Sequence, residues 1–351
     1  MRRTNLGRRG FLLSAAGVGA GAVLVGCTSN EQPSDGNQQP QVGAQGSNAE
    51  PGDPVTIGFS APAADHGWMA AMTINAREAA GQYSDVTLEA TEGTNDVNRQ
   101  VAQVESLISQ GVDALVILPF DGKALTRVGR QAMDAGIPVI NVDRVFDTPL
   151  AYRTWIGGDN YRMGVNAGNY IAERLKSENV SNPVIGEVAG LDSLPLTQDR
   201  SQGFADALAT HGFEVTHRVA AEFTPETGQE QTANLLQSAQ DLDALWNHDD
   251  DQGIGVVAAI DAAGRDDFFM VGGAGSRNMM DLIKADSGPV KATVLYSPSM
   301  AASAISLARL LGQSKGMSDL AEHEIPAEVT TYSAVVTKDN VDSYLDVGFD
   351  S

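Results

Sequence analysis

The side chains in this sequence best suited to gripping a polar molecule stand at the ends of short apolar runs. Asp143-Arg144 follows Val139-Ile-Asn-Val142. A carboxylate accepts hydrogen bonds from hydroxyls, and a guanidinium donates through a planar fork. Neighbours of these two types at one strand end can hold adjacent hydroxyls of one sugar, or form a surface ion pair at a strand–loop junction. Trp68, Phe223 and Tyr296 offer flat apolar walls to the C–H faces of a ring, or belong to a core. Asn247-His248-Asp249-Asp250-Asp251 contains metal-ligating residue types. Contiguous side chains point apart on a strand or helix, so a polar ligand contact plus N-capping of a helix from near Gln252 fits better than a metal site. His66 could act as a general base, but a polar contact suits a loop histidine better.

Signatures of enzymes are weak. The sequence has no Gly-x-Ser-x-Gly elbow, no Walker loop and no His-Glu-x-x-His. Its one cysteine, Cys27, ends an apolar run and is a poor candidate for thiol catalysis. Gly272-Gly273-Ala274-Gly275 lacks dinucleotide spacing. The expectation is a binding protein with no cofactor, no metal and no catalytic residue. An enzyme acting on sugars is a weaker alternative.

Elements able to position these groups alternate from Val55 onward. Val55–Phe59, Ala114–Leu118 and Pro138–Val142 read as buried parallel strands, and Trp68–Tyr83, Val97–Gln110 and Lys123–Ala135 as helices. The pattern then recurs. Pro183-Val-Ile-Gly echoes Pro54-Val-Thr-Ile-Gly, Leu242-Asp-Ala-Leu echoes Val112-Asp-Ala-Leu, and Phe269-Met-Val-Gly-Gly echoes Val139-Ile-Asn-Val-Asp, at offsets of 129, 130 and 130 residues. Three echoes in order predict two similar α/β lobes, each a doubly wound parallel sheet. Ligands of such sheets lie beyond the carboxyl ends of the strands. That places Ser60, His66, Trp68, Met69, Asp143 and Arg144 on one lobe's mouth, and Arg200, Phe223 and Asp249 on the other's, with a cleft between.

Composition limits the partners. Removing residues 1–26 takes away four arginines and no acids, so 19 basic face 45 acidic side chains, a net charge of −26. Such a surface repels nucleic acid, which is excluded as a partner. Arg8-Arg9-Gly-Phe-Leu12, the apolar run to Gly26 and Leu24-Val-Gly-Cys27 resemble a twin-arginine export signal ending in a bacterial lipobox. That resemblance implies cleavage after residue 26, lipidation of Cys27 and an extracytoplasmic protein anchored at the outer face of the cytoplasmic membrane. Residues 27–53, poor in aliphatic side chains, read as the lipidated cysteine and a disordered tether, with a reach of about 30 Å as a coil.

From about Val55 to Phe349 the chain resembles the ribose-binding-protein-like family of ABC-transporter solute receptors. The stretches that carry the likeness are Ile57–Ser60, Gly111–Pro119, Gly136–Arg144, Ile156–Asn160, Arg200–Phe204 and Val335–Val341. Most specific is Ala-Gly-Ile-Pro-Val-Ile-x-x-Asp-Arg, ending at Arg144. The likeness implies a monomer binding a sugar or polyol and delivering it to an ABC permease and ATPase complex. A same-fold receptor for an autoinducer-like signal or for a sensor kinase is the alternative. It implies a clamp of Asp143 and Arg144, a donating Arg200, stacking rings at Trp68 and Phe223, and ligand contacts from Ser60, His66, Met69, Asp249 and Tyr296. Asp249 stands where the family often has Asn, His66 replaces a common Asn, Ala274 an Asp and Tyr296 a Gln, so ribose itself is not implied. Three hinge crossings are expected near Gly158, Ser297 and Pro326. They give an N-terminal lobe of 54–158 plus 297–326 and a C-terminal lobe of 159–296 plus 327–351.

Overall fold

The computed structural model describes residues 48–317 and 324–351; the expected export signal, Cys27 and most of the expected tether lie outside them. The first lobe starts β1 (Val55–Ser60), α1 (Gly67–Gly81), β2 (Val86–Ala90), α2 (Val97–Gln110), β3 (Ala114–Ile117), α3 (Gly122–Asp134), β4 (Val139–Val142) and β5 (Thr154–Gly158). The second lobe runs α4 (Asn160–Ser177), β6 (Ile185–Ala189), α5 (Pro195–Thr210), β7 (His217–Ala220), α6 (Pro225–Ser238), β8 (Ala244–Asn247), α7 (Asp250–Ala262), β9 (Phe269–Ala274), α8 (Arg277–Ala285) and β10 (Val290–Leu295). Then come α9 (Met300–Gly312), β11 (Glu328–Thr331) and β12 (Val335–Thr337).

The two sheets share one plan. The first has the order β11-β5-β4-β3-β1-β2 and the second β12-β10-β9-β8-β6-β7. Each echoed strand thus occupies the same place in its sheet as its counterpart. The strand neighbours of both sheets run parallel, except that β12 runs antiparallel to β10. β3, β4, β6, β8 and β9 are buried throughout, as expected of sheets covered by helices on both faces. One core cluster includes Ile57, Val116 and Ile140 of the first lobe together with Ile185, Trp246 and Val271 of the second. Among the described residues no helix is long and apolar enough to cross a membrane.

Two boundaries differ from the sequence reading. β11 pairs with β5 from Glu328↔Trp155 to Thr331↔Gly158, so 328–331 belongs to the first sheet. The chain therefore recrosses between Thr331 and Val335, not near Pro326. β11 is an edge strand of alternating exposed and half-buried residues, which leaves it no continuous apolar run. The other crossings are Gly158 into α4 and Tyr296–Ser299 into α9.

The second difference lies at the tether's end. Arg309 of α9, 2% exposed, donates from Nε and Nη2 to both oxygens of Asp85, at 2.8 and 2.6 Å, and lies over the Tyr83 ring at 4.5 Å. It also donates to the carbonyls of Asn48 and Glu50, at 2.6 and 2.7 Å. The Gly52 amide reaches Asp85 as well, and Gln313 binds both the Asp53 carbonyl and Asp85. Residues 48–53 are thus fastened to the first lobe. A composition-based reading missed this because the partners are backbone carbonyls.

The Arg309 bond, outweighing burial, holds the Asp85 carboxyl well below its ordinary value. The stability it contributes is therefore complete above the ordinary carboxylate range and is lost as pH falls below about 4. Arg309→Met, which keeps the apolar stem, is expected to cost on the order of 3 kcal/mol at pH 7 and measurably less at pH 3, where part of the contribution is gone. Urea unfolding at the two pH values checks this; an equal cost at both would refute the ion-pair account.

Candidate ligand-binding site

Nine of the ten predicted ligand residues line one cavity between the lobes. His66, Trp68, Met69, Asp143 and Arg144 come from the first lobe, and Arg200, Phe223, Asp249 and Tyr296 from the second. Leu196 completes the lining. The cavity volume is ≈ 30 Å³, room for a water or two and well below the roughly 300–1,000 Å³ of small-molecule pockets. A second cavity of ≈ 690 Å³ shares Asp143 and Arg144 and runs along Trp155, Asn160, Leu196 and Asp199. Leu196 lines both cavities as well.

Ser60 is the predicted residue that stays out. It is fully buried, and its hydroxyl accepts from Gln100 Nε2 at 3.2 Å. The same amide nitrogen donates to the Leu118 carbonyl, and the amide oxygen accepts from Phe120 N. Ser60 therefore secures the loop after β3 instead of facing the cleft.

Asp143 is the first residue beyond β4 and adopts the left-handed conformation, with φ 61°. This is uncommon for a residue with a side chain, and Asp tolerates it better than most. It turns the chain so that the carboxylate, 6% exposed with its residue, receives the Tyr296 hydroxyl from across the cleft. Burial and then Asp143 keep that phenol neutral by raising its pKa. Arg144 donates from Nη1 to the Phe120 carbonyl at 2.6 Å. Its Nε lies 3.9 Å from Asp143 Oδ2 and has no hydrogen-bond partner among the described residues. A buried donor left over in a cavity wall is a group for a ligand oxygen to satisfy.

In the second lobe, Arg200 projects from α5, which Pro195 starts. Its Nε donates to Asn160 Oδ1 at 2.8 Å and its Nη1 to the His248 carbonyl at 3.1 Å. The guanidinium stands 4.6 Å from the Tyr296 ring centre. His248 is fully buried beside Trp246, their rings 4.2 Å apart. Gly190 N points at His248 Nδ1 and can only donate, so Nε2 carries the proton and bonds Glu187 at 2.8 Å. Burial pushes the His248 pKa down, against Glu187, consistent with a neutral ring. Phe223, like Asp143, has a positive φ, 60°. Its ring lies so close to Gly190 that a Cβ there would sit 2.0 Å from it.

The three contiguous aspartates go to three places. Asp249 caps α7, accepting from Asp251 N at 2.9 Å and more weakly from Gln252 N, and also lines the cavity. Asp250 turns inward and receives the amides of Gly273, Gly275 and Ser276 and the Thr293 hydroxyl. Burial raises its pKa to about 8 even so. Asp251 crosses to the first lobe and accepts from Trp68 N at 2.8 Å. His66 bonds Asp65 through Nδ1 at 2.6 Å; burial would lower its pKa, but Asp65, Asp249 and Asp251 outweigh it and raise it. Trp68 Nε1 donates to the Tyr296 carbonyl at 2.8 Å, and the two rings meet at 5.8 Å.

Sequence reasoning missed Leu196, Asn160 and the destination of Asp251. The proline-started helix placing Leu196 one turn before Arg200 was a usable signal for the first. Asn160 stood in a noted stretch without a role, and only the fold shows that it ties Arg200 to Tyr296.

The periplasmic binding protein domain model matches residues 57–315. A D-ribose/D-allose-binding protein of Pseudomonas aeruginosa is 35% identical over 175 residues, covering 48% of this chain and 54% of that protein. The ribose import binding protein RbsB of Bacillus subtilis is 30% identical over 209 residues, covering 60% of this chain and 66% of its own length. The aligned region thus spans between half and two thirds of these relatives. A Mycobacterium smegmatis protein solved in complex with β-D-fucofuranose superposes with a TM-score of 0.75 at 26% identity, over 83% of this chain and 94% of that one. Matched along most of its folded length and built of two similar lobes around a polar cleft, the chain belongs to the periplasmic binding protein family, in its type 1 fold.

Proposed function

We propose that this protein captures a monosaccharide or polyol outside the cytoplasm and delivers it to an ABC importer, held at the membrane by lipid on Cys27. The observation that carries the reading is the convergence of a carboxylate–guanidinium pair from one lobe with a guanidinium from the other, between aromatic rings, in one cavity. Asp143 accepts from ligand hydroxyls once the Tyr296 hydroxyl yields its place. Arg144 Nε and the remaining donors of Arg200 point to ligand oxygens. Trp68 and Phe223 cover the C–H faces of the ring. The chamber is too small for a sugar as it stands, so entry parts the lobes and closure seals them, the hinge motion typical of this architecture. A small neutral ligand also agrees with the relatives, whose names give ribose, allose and fucofuranose. The lipid anchor and export route rest on Arg8-Arg9 and on Leu24-Val-Gly-Cys27. The binding role involves no bond making, and no catalytic residue is assigned.

A thermal-shift screen of the full chain in detergent against pentoses, hexoses, furanosides, polyols and inositols is expected to show at least one strong stabiliser. Ligand at a thousandfold excess over Kd adds about 4 kcal/mol. A panel with no stabilised sugar or polyol would sink the proposal.

Asp143→Asn keeps a residue that tolerates the left-handed backbone, so melting without ligand should change little. Affinity for the stabilising sugar should fall by roughly 2–5 kcal/mol, as it should for Arg200→Ala. Titration calorimetry decides; unchanged affinity in both variants removes the clamp.

Cys27→Ser, expressed in a bacterium that lipidates its own proteins, is expected to leave the membrane fraction and lose incorporation of labelled fatty acid. Retention of both would refute the anchor.

A further inference from the structure

The start of α1 is completed by the opposite lobe. A helix leaves its first amides without intrahelical partners, and a side chain at the N-cap commonly supplies one. Here His66 is the N-cap, its backbone extended, and it makes no side-chain cap bond among the described residues. The acceptor instead is Asp251 of α7, in the second lobe, 2% exposed, whose carboxylate takes the amide of Trp68 at 2.8 Å. The residues so seated, Trp68 and Met69, form the cavity wall.

The backbone at Gly67 records the same closeness independently. Its φ does not demand glycine, but the space does. A Cβ there would lie 2.4 Å from the Asp350 carbonyl oxygen, 2.6 Å from Asp251 Oδ1 and 2.6 Å from the Ser351 Cα. All three belong to the second lobe, since Phe349 bridges Ser276 and its carbonyl receives Arg277 N at 2.7 Å. The need for glycine exists only while the lobes touch.

We propose that Asp251 is a positioning residue for ligand capture: it caps α1 from across the cleft, so that lobe closure and the seating of Trp68 and Met69 in the ligand wall are one event. This rests on the binding function proposed above. Asp251 makes none of the ligand contacts proposed there. Its role is to fix the element that does.

Protonation adds a signature. The groups facing Asp251 are Asp249 on its own helix and His66 across the cleft, with Asp65 behind the histidine. Burial, then Asp249, hold the Asp251 carboxyl up to about 7, against Trp68 N and His66. Parting the lobes returns it toward the ordinary carboxylate range. Closure therefore takes up protons, and His66, also raised, acts in the same direction. Affinity should rise as pH falls from 8 to 6. A neutral amide at this position still accepts the Trp68 amide but takes up no proton.

The test compares Asp251→Ala, Asp251→Asn and Gly67→Ala in the full chain. Amide exchange at Trp68 needs no ligand and should quicken at least tenfold in Asp251→Ala while staying within twofold of wild type in Asp251→Asn. Equal exchange in wild type and Asp251→Ala overturns the proposal. With D-ribose as the probe, Asp251→Ala and Gly67→Ala should each bind about tenfold more weakly at unchanged melting temperature. Asp251→Asn should bind at pH 8 at least as well as wild type, with a shallower pH slope. Gly67→Ala binding like wild type, or an unaltered slope in Asp251→Asn, also overturns it. If wild type takes up no ribose, the exchange comparison alone decides, so failure of the sugar reading and failure of the cap are told apart.

Discussion

The bond from the Tyr296 hydroxyl to the Asp143 carboxylate spans the cleft, and much of the rest of the site is arranged around it. A carboxylate removed from water must be given donors, or its burial destabilises the fold. Asp143 has a phenol from the other lobe and a guanidinium at 3.9 Å from the next residue. In the binding role proposed above, a ligand hydroxyl replaces the phenol at no loss in hydrogen-bond count, and a ligand oxygen gives Arg144 Nε the partner it lacks. Arg200, stacked over the same phenol and tied to Asn160, which also contacts the Tyr296 hydroxyl, keeps that ring in place. In the same proposed role, selectivity would come from the cost of leaving Asp143 or Arg144 unsatisfied, and less from the size of the chamber.

The backbone was prepared for this. Asp143 and Phe223 both follow strands, both carry side chains, and both have positive φ. Ala274, at the end of β9 in the place that corresponds to β4, shares the conformation with φ 82°. Two lobes of one plan thus use the same uncommon turn at the same strand end. In one it delivers a carboxylate to the cleft; in the other it carries a methyl group into the core, while Asp250 gathers the amides of the loop around it. Strain of this kind persists only where surrounding contacts over-determine it.

How much of this could be read in the residues follows from where the signal lies. Buried parallel strands form continuous apolar runs, so β1, β3 and β4 and their echoes were legible, as was the two-lobed plan. Edge strands β2 and β11 alternate or are exposed, and they left no such run. Side chains expected at strand ends meet in one cavity because the fold sends such ends to one rim. Ser60 obeyed that rule and still missed the cavity, since a buried glutamine three elements on claimed its hydroxyl. Asp251 was legible as an acid in a run of acids. That its partner would be an amide 183 positions earlier in the chain depends on the geometry of two lobes meeting, which no local pattern encodes.

The fastening of residues 48–53 has a mechanical side. Arg309 and Asp85 hold this segment where β1 and β2 begin, with Val55 N bonded to the Asp85 carbonyl, while the residues lining the small cavity stand where the strands end. The length of a six-residue strand, about 20 Å, separates the two. Tension arriving along the chain before residue 48 is therefore borne by one lobe at its far end, and none of its path crosses the hinges. Under the anchored, hinge-closing role proposed above, the second lobe swings without dragging on the anchor, and a pull on the anchor does no work on the cleft.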